Sequence, residues 1–357
     1  MTSKSARHKK NQRARKPQSA AAVEISATPA ETDSKKAEAI IQGVAAPDTG
    51  ISVTPPVVSH AYPLEVKEIE GKGMGVVATR DIKARELILK ETPLFIWDHA
   101  KGTSGLEASV NALPDLKKTA YYSHFAADPH KKLSKAAAIF QTNCLPLIGN
   151  VKGVFDIGCR FNHSCRPNCS NQWDEEQEVR WFIANRDIRK GEEICITYTD
   201  LKEAKMSRSL ALHVSFGFIC TCGVCSLPGQ AAKASHRRRI EYKHVFLSIP
   251  QLRSRPLELI KRINEGLKFA KEEGIVLGTS DLAFEALTVC VMLGDRLNAT
   301  RWIDQALELE GYVAGVWSKR YKDIEAWKGQ PELHPSWMAV CRTLGLPSQV
   351  LTGPDQD

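Results

Sequence analysis

Three cysteines within six residues, Cys220-Thr-Cys222-Gly-Val-Cys225, constrain the fold of this 357-residue chain more than any other feature. Thiolates at this spacing are metal-like, and a tetrahedral zinc site needs four soft ligands. The cluster is one ligand short, so the fourth must come from elsewhere in the chain and a long-range closure is expected. Three buried free thiols are the alternative. Cys144, Cys159, Cys195, Cys290 and Cys341 read as ordinary small core residues. The chain has no apolar run long enough for a membrane span and no secretory signal pattern at its N-terminus, so a soluble intracellular protein with reduced thiols is expected.

The charge is unevenly placed. Of the net +8, seven positive charges fall between Lys4 and Lys16, before the first acid at Glu24, which leaves about +1 for the rest. The folded body is therefore not a basic nucleic-acid binder, and any such contact is assigned to the tail. Residues 1–60 are rich in Ala, Ser, Thr, Pro, Lys and Arg without apolar periodicity and read as a disordered basic tail and linker. Arg7 to Lys16 fits a nuclear localisation signal. A merely solvated tail and a mitochondrial presequence are the competing readings.

Order is expected to begin near Tyr62, where Leu64, Val66 and Ile69 alternate with polar residues as in a strand. Gly71, Gly73 and Gly75 then imply a turn into the apolar run Val76-Val77-Ala78. The stretch Ala78-Thr-Arg-Asp-Ile-Lys-Ala-Arg-Glu-Leu-Ile88 is echoed by Ala184-Asn-Arg-Asp-Ile-Arg-Lys-Gly-Glu-Glu-Ile194, so one strand-turn-strand unit is expected twice. Residues 103–142 read as a helical insert, with Leu116, Ala120, His124 and Ala127 at helical spacing. After about residue 232 the pattern is helical: Ile260, Ile263, Leu267 and Ala270 share a face, and Ser280 reads as the cap of a buried helix over Leu282 to Leu293.

The Gly71-Lys-Gly-Met-Gly75 triplet is not a dinucleotide fingerprint, because position 76 is Val and a β-run follows. It stands ahead of two further motifs, Arg160-Phe-Asn-His-Ser-Cys-Arg-Pro-Asn-Cys169 and Gly191-Glu-Glu-Ile-Cys-Ile-Thr-Tyr-Thr-Asp200, and of Phe216-Gly-Phe-Ile-Cys-Thr-Cys-Gly-Val-Cys225. These four elements, in this order, resemble the signature of SET-domain lysine methyltransferases. The resemblance covers roughly residues 62–228 and is closest to the SET and MYND-domain branch, whose SET domain is split. The stretch between the halves lacks a paired-cysteine array, so the MYND finger is absent.

The resemblance implies an α+β class: a β-rich SET fold over 61–202 with its helical insert at 103–142, a cysteine-rich zinc segment at 203–230, a helical C-terminal domain at 231–345 and a flexible tail at 346–357. It implies an S-adenosylmethionine-dependent protein-lysine N-methyltransferase acting on histone or other protein, in nucleus or cytoplasm. A non-catalytic SET-fold binding module is the rival of another class. Tyr198 is implied as the catalytic residue, orienting the amine. The backbone of Lys72, Gly73 and Met74 is implied to face the methionine moiety, Asn143 its amino-acid end, Asn162 and His163 the amino-acid group and adenine, and Phe218 the adenine face. For zinc, the resemblance adds Cys165 to Cys220, Cys222 and Cys225, with Cys169 the rival fourth ligand. No membrane partner is expected, and a monomer is the default.

Overall fold

The computed structural model describes residues 62–355. The tail assigned to residues 1–60 and its basic run lie outside the described residues. Among the described residues, no helix is long and apolar enough to cross a membrane.

The β-rich body comprises β1 (Leu64–Ile69), β2 (Gly73–Ala78), β3 (Leu87–Glu91) and β4 (Phe95–Asp98), then, after the insert, β5 (Leu145–Pro146), β6 (Val151–Val154), β7 (Asn162–His163), β8 (Cys169–Asp174), β9 (Val179–Ala184) and β10 (Glu193–Ile196). They form three small sheets, ordered β1-β2-β10-β7, β3-β9-β8 and β4-β6-β5. β1 and β2 are a hairpin from Leu64↔Ala78 to Ile69↔Gly73, and Gly71 and Gly73 at its turn hold φ of 71° and 72°, which disfavours a Cβ. β10 pairs antiparallel with β2 and parallel with β7, setting Glu193 opposite Val77 and Cys195 opposite Asn162. This sheet brings the glycine turn, the Asn-His pair and the Gly-Glu-Glu strand to one place.

The echoed segments interlock with each other. Ile82 and Ile188 exchange both backbone hydrogen bonds, at 2.8 and 2.9 Å. Asp187 accepts from the Ala84 amide at 2.9 Å, and in the equivalent bond Asp81 accepts from the Lys190 amide at 2.8 Å. Arg80 pairs with Glu86 and Arg186 with Glu192, both at 2.5 Å. The correspondence extends to the backbone, where Arg85 and Gly191 both lie at positive φ, 69° and 80°. Each turn thus satisfies the other's exposed amides, which a single turn would leave to water.

The insert folds as α1 (Leu106–Asn111), α2 (Asp115–Tyr122) and α3 (Lys135–Asn143). The stripe expected through Leu116, Ala120, His124 and Ala127 is interrupted: α2 ends at Tyr122 and Leu116 is exposed. Tyr121 takes the core position instead, edge-on to Phe95 at 5.6 Å, with its hydroxyl donating to the Ala136 carbonyl at 2.8 Å. An aromatic ring with a satisfied hydroxyl fills this site better than the smaller residues of the expected stripe.

After α4 (Lys205–Phe216) the chain builds a helical array from α5 (Gly229–Leu252), α6 (Pro256–Glu273), α7 (Thr279–Met292), α8 (Arg296–Val313), α9 (Lys319–Ala326) and α10 (Ala339–Leu344). Its core includes Tyr242, Ile260, Ile263, Leu287 and Trp302, all fully buried. Ser280 is not the cap expected of it. α7 begins at Thr279, two residues before the start that a Ser280 cap would give, behind Gly278 at φ 87°, and Ser280 is buried in the first turn. The C-terminal stretch also departs from the flexible tail expected: Leu351 is buried, Trp302 donates its indole N–H to the Thr352 carbonyl at 3.1 Å, and Asn264 donates to the Gly353 carbonyl at 3.1 Å. A buried indole N–H needs an acceptor, and this segment supplies it.

One carboxylate joins the array to the β-body. Glu273, at the end of α6, is fully buried. It accepts from Ser235 Oγ at 2.8 Å, Arg239 Nε at 3.0 Å and Arg238 Nε at 2.7 Å. Arg239 then donates to the Leu201 carbonyl at 2.7 Å and the Cys165 carbonyl at 2.9 Å, on the other side of the junction. Removing one partner of a buried ion pair leaves the others uncompensated and costs about 3–5 kcal/mol. Glu273→Ala is therefore expected to lower the unfolding free energy by that order in urea titration, whereas truncating the exposed Glu258 is expected to change it by less than about 1 kcal/mol.

Candidate active site

A cleft of about 1220 Å³ opens between the β1–β2 turn, the insert and the segment after α4. Every residue singled out for cofactor contact lines it: Lys72, Gly73, Met74, Asn143, Asn162, His163, Tyr198 and Phe218. Single-ligand pockets commonly span roughly 300–1,000 Å³, so there is room here for more than one small molecule.

At its floor, β7 and β10 run parallel. Tyr198, just past β10, is tied down twice: its amide donates to His163 Nδ1 at 3.0 Å and its hydroxyl donates to the Phe161 carbonyl at 2.6 Å. Its ring packs against Phe216 at 4.8 Å and His163 at 5.4 Å. Burial pushes the Tyr198 phenol well above its ordinary range, so it stays protonated at neutral pH and is a hydrogen-bond donor, not a base. Burial likewise pushes His163 down to about 4, so the ring is neutral. Phe218 lies 6.3 Å from both Phe216 and His163 and keeps 36% of its surface exposed, which leaves a ring face for a planar ligand.

Lys72 and Asn162 meet through Glu193, a residue the sequence reading passed over. The Glu193 carboxylate accepts from Lys72 Nζ at 2.5 Å and from Asn162 Nδ2 at 2.9 Å, clamping the glycine turn to β7. Gly75 makes the approach possible, since a Cβ there would stand 2.7 Å from Asn162 Nδ2 and 2.6 Å from Ile69 Cγ1. The available signal was the second Glu of Gly-Glu-Glu. Alternation places it on the face opposite Ile194, but the partner it meets depends on the sheet order. Asn143 donates to the Phe125 and Ile139 carbonyls, both at 2.7 Å, and its main-chain carbonyl accepts from the Cys159 thiol at 2.9 Å, so it anchors the insert and presents its side-chain oxygen for a ligand.

A second missed carboxylate, Glu91, is half-buried behind the cleft and accepts from the Asp156, Ile157 and Gly158 amides at 2.8–2.9 Å. Desolvation raises it to about 7 while those three amides oppose the rise. It shapes the loop that delivers Arg160 to His163 into the floor.

One wall of the cleft is the cysteine cluster. The sulfurs of Cys165, Cys220, Cys222 and Cys225 all lie within 4.8 Å of one another, so the set can hold a metal ion. Four thiolates around zinc at about 2.3 Å would stand about 3.8 Å apart, which these positions fit. Cys169 is not among them: its thiol is buried in the β-body and donates to the Ser170 carbonyl at 3.2 Å. Cys165 Sγ is met by Arg208 Nε at 3.2 Å and His163 Nε2 at 3.3 Å. Arg208, on α4, is a further residue that sequence reasoning missed, because a buried arginine facing a thiol leaves no periodic trace.

Comparison with known proteins agrees with this geometry. Residues 73–199 match the family described as SET domain. A histone-lysine N-methyltransferase, set5 of Schizosaccharomyces pombe, is 27% identical over 274 residues, covering 76% of this chain and 85% of that protein. The human protein-lysine N-trimethyltransferase SMYD5 is 30% identical over 131 residues, covering 35% of this chain; the chain spans only 30% of that protein's length. The turn, the Asn-His pair, Tyr198 and the match over 73–199 therefore converge on a SET domain within these residues, in a chain similar to the SET5 and SMYD5 proteins.

Proposed function

We propose that the chain is an S-adenosylmethionine-dependent protein-lysine N-methyltransferase, with the cleft at the β7–β10 junction as its active site. The observation that carries this reading is the position of Tyr198, held by two hydrogen bonds at the base of a cleft lined by the glycine turn, Asn162 and Phe218. S-adenosylmethionine, bound there, supplies an electrophilic sulfonium methyl group. Lys72, Gly73 and Met74 would hold its methionine moiety through their backbone, Asn143 and Asn162 its amino-acid end, and Phe218 and His163 its adenine side.

Tyr198 then has one task, to hold the acceptor amine in line. Displacement at carbon requires the reacting atoms about 3–3.5 Å apart with orbitals aligned, and misplacement by an ångström can cost about 10²-fold. The aromatic walls Phe216 and Tyr198 exclude water, which disfavours the ammonium form of the substrate lysine and frees its lone pair without a dedicated base. The protonated phenol fits this role, since a hydroxyl can orient an amine but a phenolate would compete as a nucleophile. The acceptor is a protein lysine, with histones the first class to test given the names of the relatives. Cys165, Cys220, Cys222 and Cys225 would hold a structural Zn²⁺, which fixes the wall that carries Phe218.

Labelled methyl transfer to histones and to cell extract tests this reading. Wild type is expected to label lysine, and Tyr198→Phe to lose at least about 10²-fold in kcat with bound zinc unchanged. Labelling at another residue type, or no binding of S-adenosylmethionine at all, sinks it. The Glu193 clamp gives a second check by calorimetry. Glu193→Gln keeps an acceptor for Asn162 but loses the Lys72 ion pair, and is expected to weaken S-adenosylmethionine about 10-fold, with Glu193→Ala weaker still. Equal affinity in all three would remove Glu193 from the support of the cofactor site.

A further inference from the structure

The His163 imidazole touches both halves of the site. Its Nδ1 lies 3.0 Å from the Tyr198 amide, and its Nε2 lies 3.3 Å from Cys165 Sγ. A backbone N–H can only donate, so Nδ1 is the lone-pair nitrogen and the ring proton sits on Nε2. That proton points at the sulfur. The ring is buried at 6% exposure, with Phe218 and Tyr198 tilted against it, so neither nitrogen has a competing partner in water.

We propose that His163 is a positioning residue that couples the cysteine-bound metal to Tyr198, donating Nε2–H to the Cys165 thiolate while accepting the Tyr198 amide at Nδ1. Its ring is then not a ligand of the adenine, and any contact of His163 with cofactor falls to its main chain. The physical logic is charge. A zinc ion with four thiolates carries a net −2, and such a centre in a partly buried wall needs N–H donors on its sulfurs. Two of them converge on Cys165, from His163 and from Arg208 at 3.2 Å. With the metal in place the thiolate is a fixed acceptor and the ring is held in one tautomer and one orientation, which sets the height of Tyr198 in the cleft. The carboxamides of Asn and Gln separate the two bonds: Asn reaches the Nδ1 position and can still accept from Tyr198, whereas Gln reaches the Nε2 position and can still donate to sulfur.

This inference uses the transferase reading only for its kinetic readout; its metal readout is independent of activity. The full chain is loaded with Co²⁺ in place of zinc, and the thiolate-to-cobalt charge-transfer band is recorded for wild type, His163→Asn and His163→Gln. Loss of an N–H donor raises the energy of the thiolate electrons, so His163→Asn is expected to shift the band to the red. It is also expected to release metal to a chelator about 10–100-fold faster. His163→Gln is expected to keep the wild-type band and release rate yet lower kcat, with the affinity for S-adenosylmethionine nearly unchanged. Unchanged bands and release in both variants, together with loss of cofactor affinity, would overturn the proposal and return the ring to the adenine. Should either variant fail to fold, the wild-type protein loaded with ¹¹³Cd answers by NMR. A scalar coupling between cadmium and the His163 Nε2 proton is expected, and an Nδ1–H tautomer overturns the assignment.

Discussion

Cys165 is the point on which the molecule turns. Its backbone follows β7, its sulfur belongs to a cluster completed 55 to 60 residues later, and its carbonyl accepts from Arg239 of the helical array. Three bodies that fold on different physical grounds meet at this residue: a sheet held by backbone pairing, a short segment with little apolar surface of its own, and an array with its own buried core. The cysteine segment needs this crossing most. Its apolar content is limited to residues such as Val224 and Leu227 packed on the thiols, far too little to order it by burial alone. A metal held by the four thiols would make binding and folding one equilibrium for such a segment.

The array is joined by a different principle. Glu273, fully buried, gathers the buried Ser235 and Arg239 and the half-buried Arg238, and Arg239 hands the connection on to the carbonyls of Leu201 and Cys165. Buried ion pairs are poor sources of net stability but strong sources of registry, because any misdocked arrangement strands a charge. The geometry of the cleft therefore inherits the precision of this junction, since Cys165 is two residues from His163.

The sequence made some of this legible and hid the rest for identifiable reasons. The glycine turn, the Asn162-His163 pair, Tyr198 and Phe218 could be brought together because their motifs, in this order, resemble the SET-domain signature, and the resemblance implies a common site. The choice between Cys165 and Cys169 could not be made from spacing, since both flank the same loop; it depends on which side of the sheet each sulfur leaves, and Cys169 enters the β-body. Glu193, Arg208 and Glu273 escaped notice because charged residues are ordinarily read as solvent-facing, and the partners described for them lie 31 and 121 residues away for Glu193, 43 for Arg208 and 34–38 for Glu273. The Leu116 stripe and the Ser280 cap failed where local pattern was overridden by an aromatic in the core and by a glycine one residue upstream of the helix.

The interlocked turns at Asp81 and Asp187 have a consequence for how the chain can vary. The bonds between them close a loop of about a hundred residues whose ends are pinned by backbone groups and by carboxylates of the same sequence unit. Closing such a loop has an entropy that grows only with the logarithm of its length, so lengthening or shortening the insert changes the balance by a few tenths of a kcal/mol. The pairing of the two turns is thereby insulated from the length of the insert between them. A lineage can lengthen or shorten the insert away from its cleft-lining residues, such as Asn143, and leave the clasp that brackets it intact.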